Sequence, residues 1–152
     1  MSVREFSKYW MPATLWMALI FVGSTDLLSA EHTSRFLEPL LRWLDPQISC
    51  AALNAIQMAV RKLGHVTEYA VLAALLWRAF RGGTAWGMKI SILFAFVLIG
   101  CGVFAVSDEF HQSFVSSRTA SPIDVMIDIC GAMIGLLICQ AFSLRFNRQS
   151  KI

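Results

Sequence analysis

Charge is scarce in this chain: only 15% of its 152 residues are Asp, Glu, Lys or Arg, where an average soluble domain has about 25%. A chain this poor in charge is not a disordered one. Four cysteines in 152 residues are too few for a disulfide-stapled mini-protein. Cys50, Cys101, Cys130 and Cys139 form no C-x-x-C and no Cys/His ligand spacing. Three of them lie inside apolar runs, where a thiol behaves as a small hydrophobe. The net charge of +3 comes without a basic cluster, so no nucleic-acid partner is expected. A nucleophile elbow, a P-loop and an H-E-x-x-H helix are all missing.

What the chain has instead is apolar surface. Hydrophobic residues make up 57% and the mean hydropathy is +0.60. A single soluble domain of this length could not hide that much, because small folds leave a large fraction of their surface exposed. The expected architecture is all-α: one domain over residues 1–152, a four-helix transmembrane bundle. Crossing the roughly 30 Å hydrocarbon layer takes about 20 residues of helix. Residues 9–25, 58–77, 90–107 and 122–144 supply four such stretches. The first exceeds a signal peptide's apolar core and no clear A-x-A site follows it, so it reads as a retained span.

Four spans put both termini on one side. That side holds Arg4, Lys8, Arg78, Arg81, Lys89, Arg145, Arg148 and Lys151, with Glu5 its one acid. The other holds Arg35, Arg42, Arg61, Lys62 and Arg118 with the remaining acids. The positive-inside rule then places both termini in the cytoplasm of a bacterial inner membrane. In the first outer connection, Phe36, Leu37, Leu40, Leu41 and Leu44 share one helical face and Arg35, Glu38 and Arg42 the other. That pattern suits an amphipathic segment lying on the outer surface. Pro39 is expected to kink it or split it in two.

Ionisable residues within a membrane are costly and mark function by default. At about 1.5 Å per residue, Glu68 lies roughly 15 Å from Arg78, near the bilayer centre, and His65 about 20 Å from it. Arg61, Lys62, Asp108, Asp124 and Asp128 fall roughly 25–31 Å from their basic anchors, close to the outer boundary. The polar groups thus descend like a funnel open to the outside. Arg61, His65, Glu68 and Leu72 share one face of the second span, flanked by Lys62 and Tyr69. Asp108 and Gln112 share a face if the third span continues, with Glu109 beside them. Asp124, Asp128, Gly131 and Gly135 form one stripe of the fourth, and its G-x-x-x-G allows close approach of a neighbour.

Structural readings compete with each of these. Ser121, Pro122 and Asp124 read as N-cap, N1 and N3 of a helix. Arg61 and Lys62 can snorkel to the interface. Asp108, Glu109, His111 and Gln112 fit a solvated loop, His111 best because it is out of phase. Glu68 needs a partner, with His65, Arg61 and Asp128 the candidates, and such a pair can serve helix specificity alone.

The second span carries R-K-x-x-H-x-x-E-Y-x-x-L: Arg61, Lys62, His65, Glu68, Tyr69 and Leu72. Further on stands D-E-x-x-Q-x-F-x-x-x-R-x-x-x-x-x-D-x-x-x-D-x-x-G: Asp108, Glu109, Gln112, Phe114, Arg118, Asp124, Asp128 and Gly131. Over residues 8–143 the chain resembles the VanZ-like integral membrane proteins, departing in a long first outer connection and a short basic tail. The resemblance implies a small polytopic bacterial membrane protein. It also implies a link to glycopeptide (teicoplanin-type) resistance, through the protein that gives the family its name.

The residues themselves suggest an outward-facing site for the head group of an envelope lipid or lipid-linked cell-wall intermediate. Arg61, Lys62 and Arg118 would hold a phosphate or carboxylate. His65, Glu68 and Asp128 would transfer protons or orient the head group, as catalytic residues if there is turnover. Tyr69, Asp108, Glu109, Gln112 and Asp124 would complete the binding site. Carboxylates of this kind can hold Mg or Ca, but His-x-x-Glu runs opposite to the Glu-x-x-His order of di-iron bundles, so no metal or cofactor is assigned. A small proton-coupled transporter and a non-catalytic scaffold for envelope enzymes stay open, as does partnership with a second copy or an envelope enzyme.

Overall fold

The computed structural model describes residues 2–25, 30–83, 88–115 and 120–149. Among them are five α-helices and no strand: α1 (Val3–Gly23), α2 (Ala30–Leu44), α3 (Cys50–Gly83), α4 (Ile90–Gln112) and α5 (Pro122–Gln149). Local chemistry sets the starts of α1, α3 and α5. Ser2 and Glu5 form a reciprocal capping box on α1. The Ser49 hydroxyl accepts the Ala52 N–H at 3.2 Å ahead of α3. Ser121 caps α5 as its sequence suggests, accepting the Ile123 N–H at 3.2 Å, with Pro122 in the first helical position.

Three helices extend or continue beyond what local patterning marks. The span over 58–77 is the middle of the 34-residue α3, which begins at Cys50; its amphipathic N-terminal turns lack the unbroken apolarity that marks a span. α4 continues past residue 107 to Gln112, so Asp108, Glu109, His111 and Gln112 stand on a helix, not in a loop. His111 stacks on Phe21 with ring centroids 4.0 Å apart. Finally, Pro39 does not split α2, which is one helix over Ala30–Leu44. The missing N–H removes one rung of the ladder, and a Glu38–Arg42 pair at 2.9 Å supports the turn around it.

Pro12 acts differently in α1. Lacking an N–H, it leaves the Lys8 carbonyl four residues back without its helical donor, and Arg78 on α3 donates to that carbonyl at 3.4 Å. The Trp16 indole N–H likewise reaches the Glu68 carbonyl at 2.9 Å. These contacts run α1 antiparallel to α3. Trp77 packs on Phe94 and Tyr69 on Phe104, which sets α4 antiparallel to α3 as well. α5 runs parallel to α3: Gly131 lies on the Val66 backbone and Gly135 on the Ala70 backbone, so that a Cβ on either would collide with main chain. The G-x-x-x-G stripe is therefore the seam between α3 and α5.

The interior is mainly apolar, with a polar minority. Tyr69, Leu72, Ala73, Val97, Cys101, Ala105, Ala132 and Leu136 are fully buried in the core, and so are Asp108, Gln112 and Asp128. The outside carries Ile99, Val103 and Val106 of α4 and Met126, Leu137 and Phe142 of α5, all at least 59% exposed. Contiguous apolar faces of this kind need a partner other than water. α4 over Ile90–Gln112 and α5 over Pro122–Arg145 are each long and apolar enough to cross a membrane. α1 and α3 do not meet that standard alone, because α1 mixes Lys8, Pro12 and Thr14 into its first half and α3 carries Arg61, Lys62 and Glu68.

Candidate functional site

The end of the bundle where α1 and α4 finish and α5 begins gathers most of the buried polar side chains. From α3, Arg61 donates to Asp124 of α5 at 3.2 Å. One turn further along both helices, His65 Nδ1 meets Asp128 Oδ1 at 3.0 Å. On the α4 side, the Ser24 hydroxyl at the end of α1 donates to Asp108 Oδ2 at 2.7 Å. The Gln112 amide donates to both, at 3.1 Å to Ser24 Oγ and 3.0 Å to Asp108 Oδ2. Glu109 accepts the backbone N–H of Ser121 at 2.8 Å, tying the end of α4 to the cap of α5.

Burial is graded through this network. The Arg61 and Asp124 side chains are 31% and 11% exposed, whereas those of His65 and Asp128 are 8% and 0%. Four residues of helix separate the two pairs, about 6 Å of rise. Several oxygens remain without a partner among the described residues: Asp108 Oδ1, Glu109 Oε1, Gln112 Oε1, Asp128 Oδ2 and the Tyr69 hydroxyl. A buried polar atom left unpaired costs about 1–3 kcal/mol, so five at one end form a concentrated unmet demand. Tyr69 lies within electrostatic reach of Asp128, Asp108 and Glu68, and Glu109 within reach of Asp124, His65 and Asp128.

The structure thus brings Arg61, His65, Tyr69, Asp108, Glu109, Gln112, Asp124 and Asp128 to one end of the bundle. Lys62 is half-exposed beside Arg61 on α3, with no ion pair among the described residues. Of the three carboxylates and cations proposed as Glu68's partner, His65 is taken by Asp128 and Arg61 by Asp124. Glu68 is half-buried and within electrostatic reach of His65. Arg118 lies outside the described residues. Among those described, no group of three or more His, Cys, Asp or Glu side chains is placed to hold a metal ion.

Two partners escaped the sequence reading. Ser24 closes the α1 end of the network, and its only signal is its place at the end of an apolar run. The Ser121 N–H is recognisable as a helix start, but not as the donor to Glu109. Asp124 combines two readings at once: it stands in the first turn of α5 and also holds Arg61.

No curated protein and no solved structure matches the chain significantly. A family model described as VanZ/LLP1 matches residues 9–143, which takes in every element of the polar network. That match and the two apolar helices mark a membrane protein, and the chain belongs to the VanZ/LLP1 family.

Proposed function

We propose that α1, α3, α4 and α5 cross the bacterial inner membrane as a four-helix bundle, with both termini in the cytoplasm and α2 on the outer surface. The polar end then opens outward and binds the head group of an envelope lipid or lipid-linked cell-wall intermediate. Arg61 and Lys62 meet its phosphate or carboxylate at the rim, and Arg118 is assigned the same role by its charge alone. His65, Glu68 and Asp128 stand below to orient it or carry a proton, and the unpaired oxygens of Asp108, Glu109 and Gln112 accept its hydroxyl or amine donors. The observation that carries this reading is the gradient from a part-exposed Arg61–Asp124 pair to a sealed His65–Asp128 pair one turn deeper.

The test is lipid co-purification with mass-spectrometric identification, beside envelope and teicoplanin phenotypes in a producing strain. Arg61→Gln and Asp128→Asn are expected to lose a lipid that Glu38→Gln on α2 retains, with protein levels unchanged. Full retention in both variants removes the site from consideration.

The unpaired oxygens of the sealed Asp108 and Asp128 favour a second reading, a proton-coupled transporter, since such carboxyls can exchange protons. A phenotype that collapses with the proton gradient while lipid binding persists selects it. A scaffold for envelope enzymes is selected if every polar-end variant fails to fold.

A further inference from the structure

At the opposite end of the bundle, a groove of about 440 Å³ lies between α3 and α5, lined by Trp77, Arg78, Arg81, Cys139, Phe142 and Ser143 together with Ala74. Its floor is apolar and its mouth is cationic. Arg81 sits over the Trp77 ring at 5.6 Å and donates to the Ser143 hydroxyl at 2.7 Å. Arg78 sits over the Tyr9 ring at 5.5 Å and reaches the Lys8 carbonyl. Lys8 lies against the same ring at 5.7 Å. Neither arginine has a carboxylate partner among the described residues. Glu5 is occupied by its own cap, where the Ser2 N–H and hydroxyl hold its carboxyl below the usual carboxylate range.

A guanidinium has five N–H donors in a planar fork. The aromatic faces and the single hydrogen bonds here fix the plane of each fork and leave most of its donors unclaimed. Two such forks above an apolar trough match a ligand with one anionic phosphodiester and a hydrocarbon tail. Basic pockets between membrane helices take anionic lipid head groups by this chemistry, and Arg binds phosphate in two-point fashion. We infer that this groove is a specific site for an anionic phospholipid, with the phosphate on Arg78 and Arg81 and one acyl chain along Trp77, Cys139 and Phe142. It lies at the far end of α3 from the polar network and shares no residue with it. It requires only that α3 and α5 cross the bilayer.

The measurement is native mass spectrometry, or tryptophan quenching in nanodiscs, with the full chain titrated by phosphatidylglycerol and by phosphatidylcholine. Phosphatidylglycerol is expected to bind preferentially. Arg78→Gln and Arg81→Gln should each weaken it about fivefold and the pair about thirtyfold, the strength of a cation beside an anionic head group. Arg81→Lys should recover part of the loss, because the charge returns without the fork. Arg4→Gln, outside the groove, should change nothing. Equal binding of the two lipids overturns the inference, as does an equal loss in Arg4→Gln or displacement of the lipid by millimolar inorganic phosphate. Thermal unfolding of each variant is read in parallel, and a preference that persists in a folded Arg78→Gln/Arg81→Gln chain also overturns it.

Discussion

Placing a single methyl group on Gly131 is expected to damage both the fold and the polar site. A Cβ there would stand 2.5 Å from the Val66 carbonyl oxygen and 2.9 Å from its Cα. Those atoms are main chain, so no side chain can swing aside. α3 and α5 must separate, at a cost of about 3 kcal/mol, the upper end of typical overpacking. Gly135 faces Ala70 in the same way, and Gly135→Ala should match it. Gly64 and Gly102 meet nothing within 4 Å, so alanine there is expected to leave the bundle intact. The check is denaturant titration in detergent. Because His65 precedes Val66, widening the seam at Gly131 also stretches the 3.0 Å His65–Asp128 bond. Gly131→Ala should therefore lose bound lipid even at temperatures where it remains folded.

The second large effect concerns His65 and Asp128. Their pairing is closed to solvent, and removing one partner strands the other. Asp128→Ala is expected to cost about 3 kcal/mol, as for other broken buried pairs. Replacing both residues, as His65→Leu with Asp128→Leu, removes the stranded group and should recover about 2 kcal/mol of the summed single losses, a coupling within the range for contacting residues. The double variant also separates structure from function. It is expected to fold and to be inactive in lipid capture and in any envelope phenotype. A folded double variant that keeps both would mean the pair only stitches helices together.

How much of this could be read from sequence depended on which forces were local. Helical phase put Asp108 with Gln112, and Asp124 with Asp128, Gly131 and Gly135; the structure keeps both stripes and turns them inward. The Ser121 cap and the α3–α5 glycine seam were legible for the same reason, since each is decided within a few residues of chain. The assignment of partners was not. His65 had Glu68 and Asp128 within plausible reach, and only the rotation of α5 on α3, set by Gly131 and Gly135 against main chain, decides for Asp128. The length of α3 was hidden because its first turns are amphipathic. The persistence of α2 through Pro39 depends on neighbouring turns that a single-residue rule does not weigh. The Arg78–Lys8 contact needed the proline vacancy in α1 and the position of α3 together.

The direction in which the polar end faces underlies the proposed function, and cysteine labelling reads it directly. In a chain whose four native cysteines are replaced by alanine, Lys62→Cys reports the polar end and Arg78→Cys the basic end. A membrane-impermeant maleimide added to intact cells is expected to modify Lys62→Cys at once and Arg78→Cys only after permeabilisation. Labelling of Arg78→Cys in intact cells, with Lys62→Cys protected until the membrane is opened, would contradict the account.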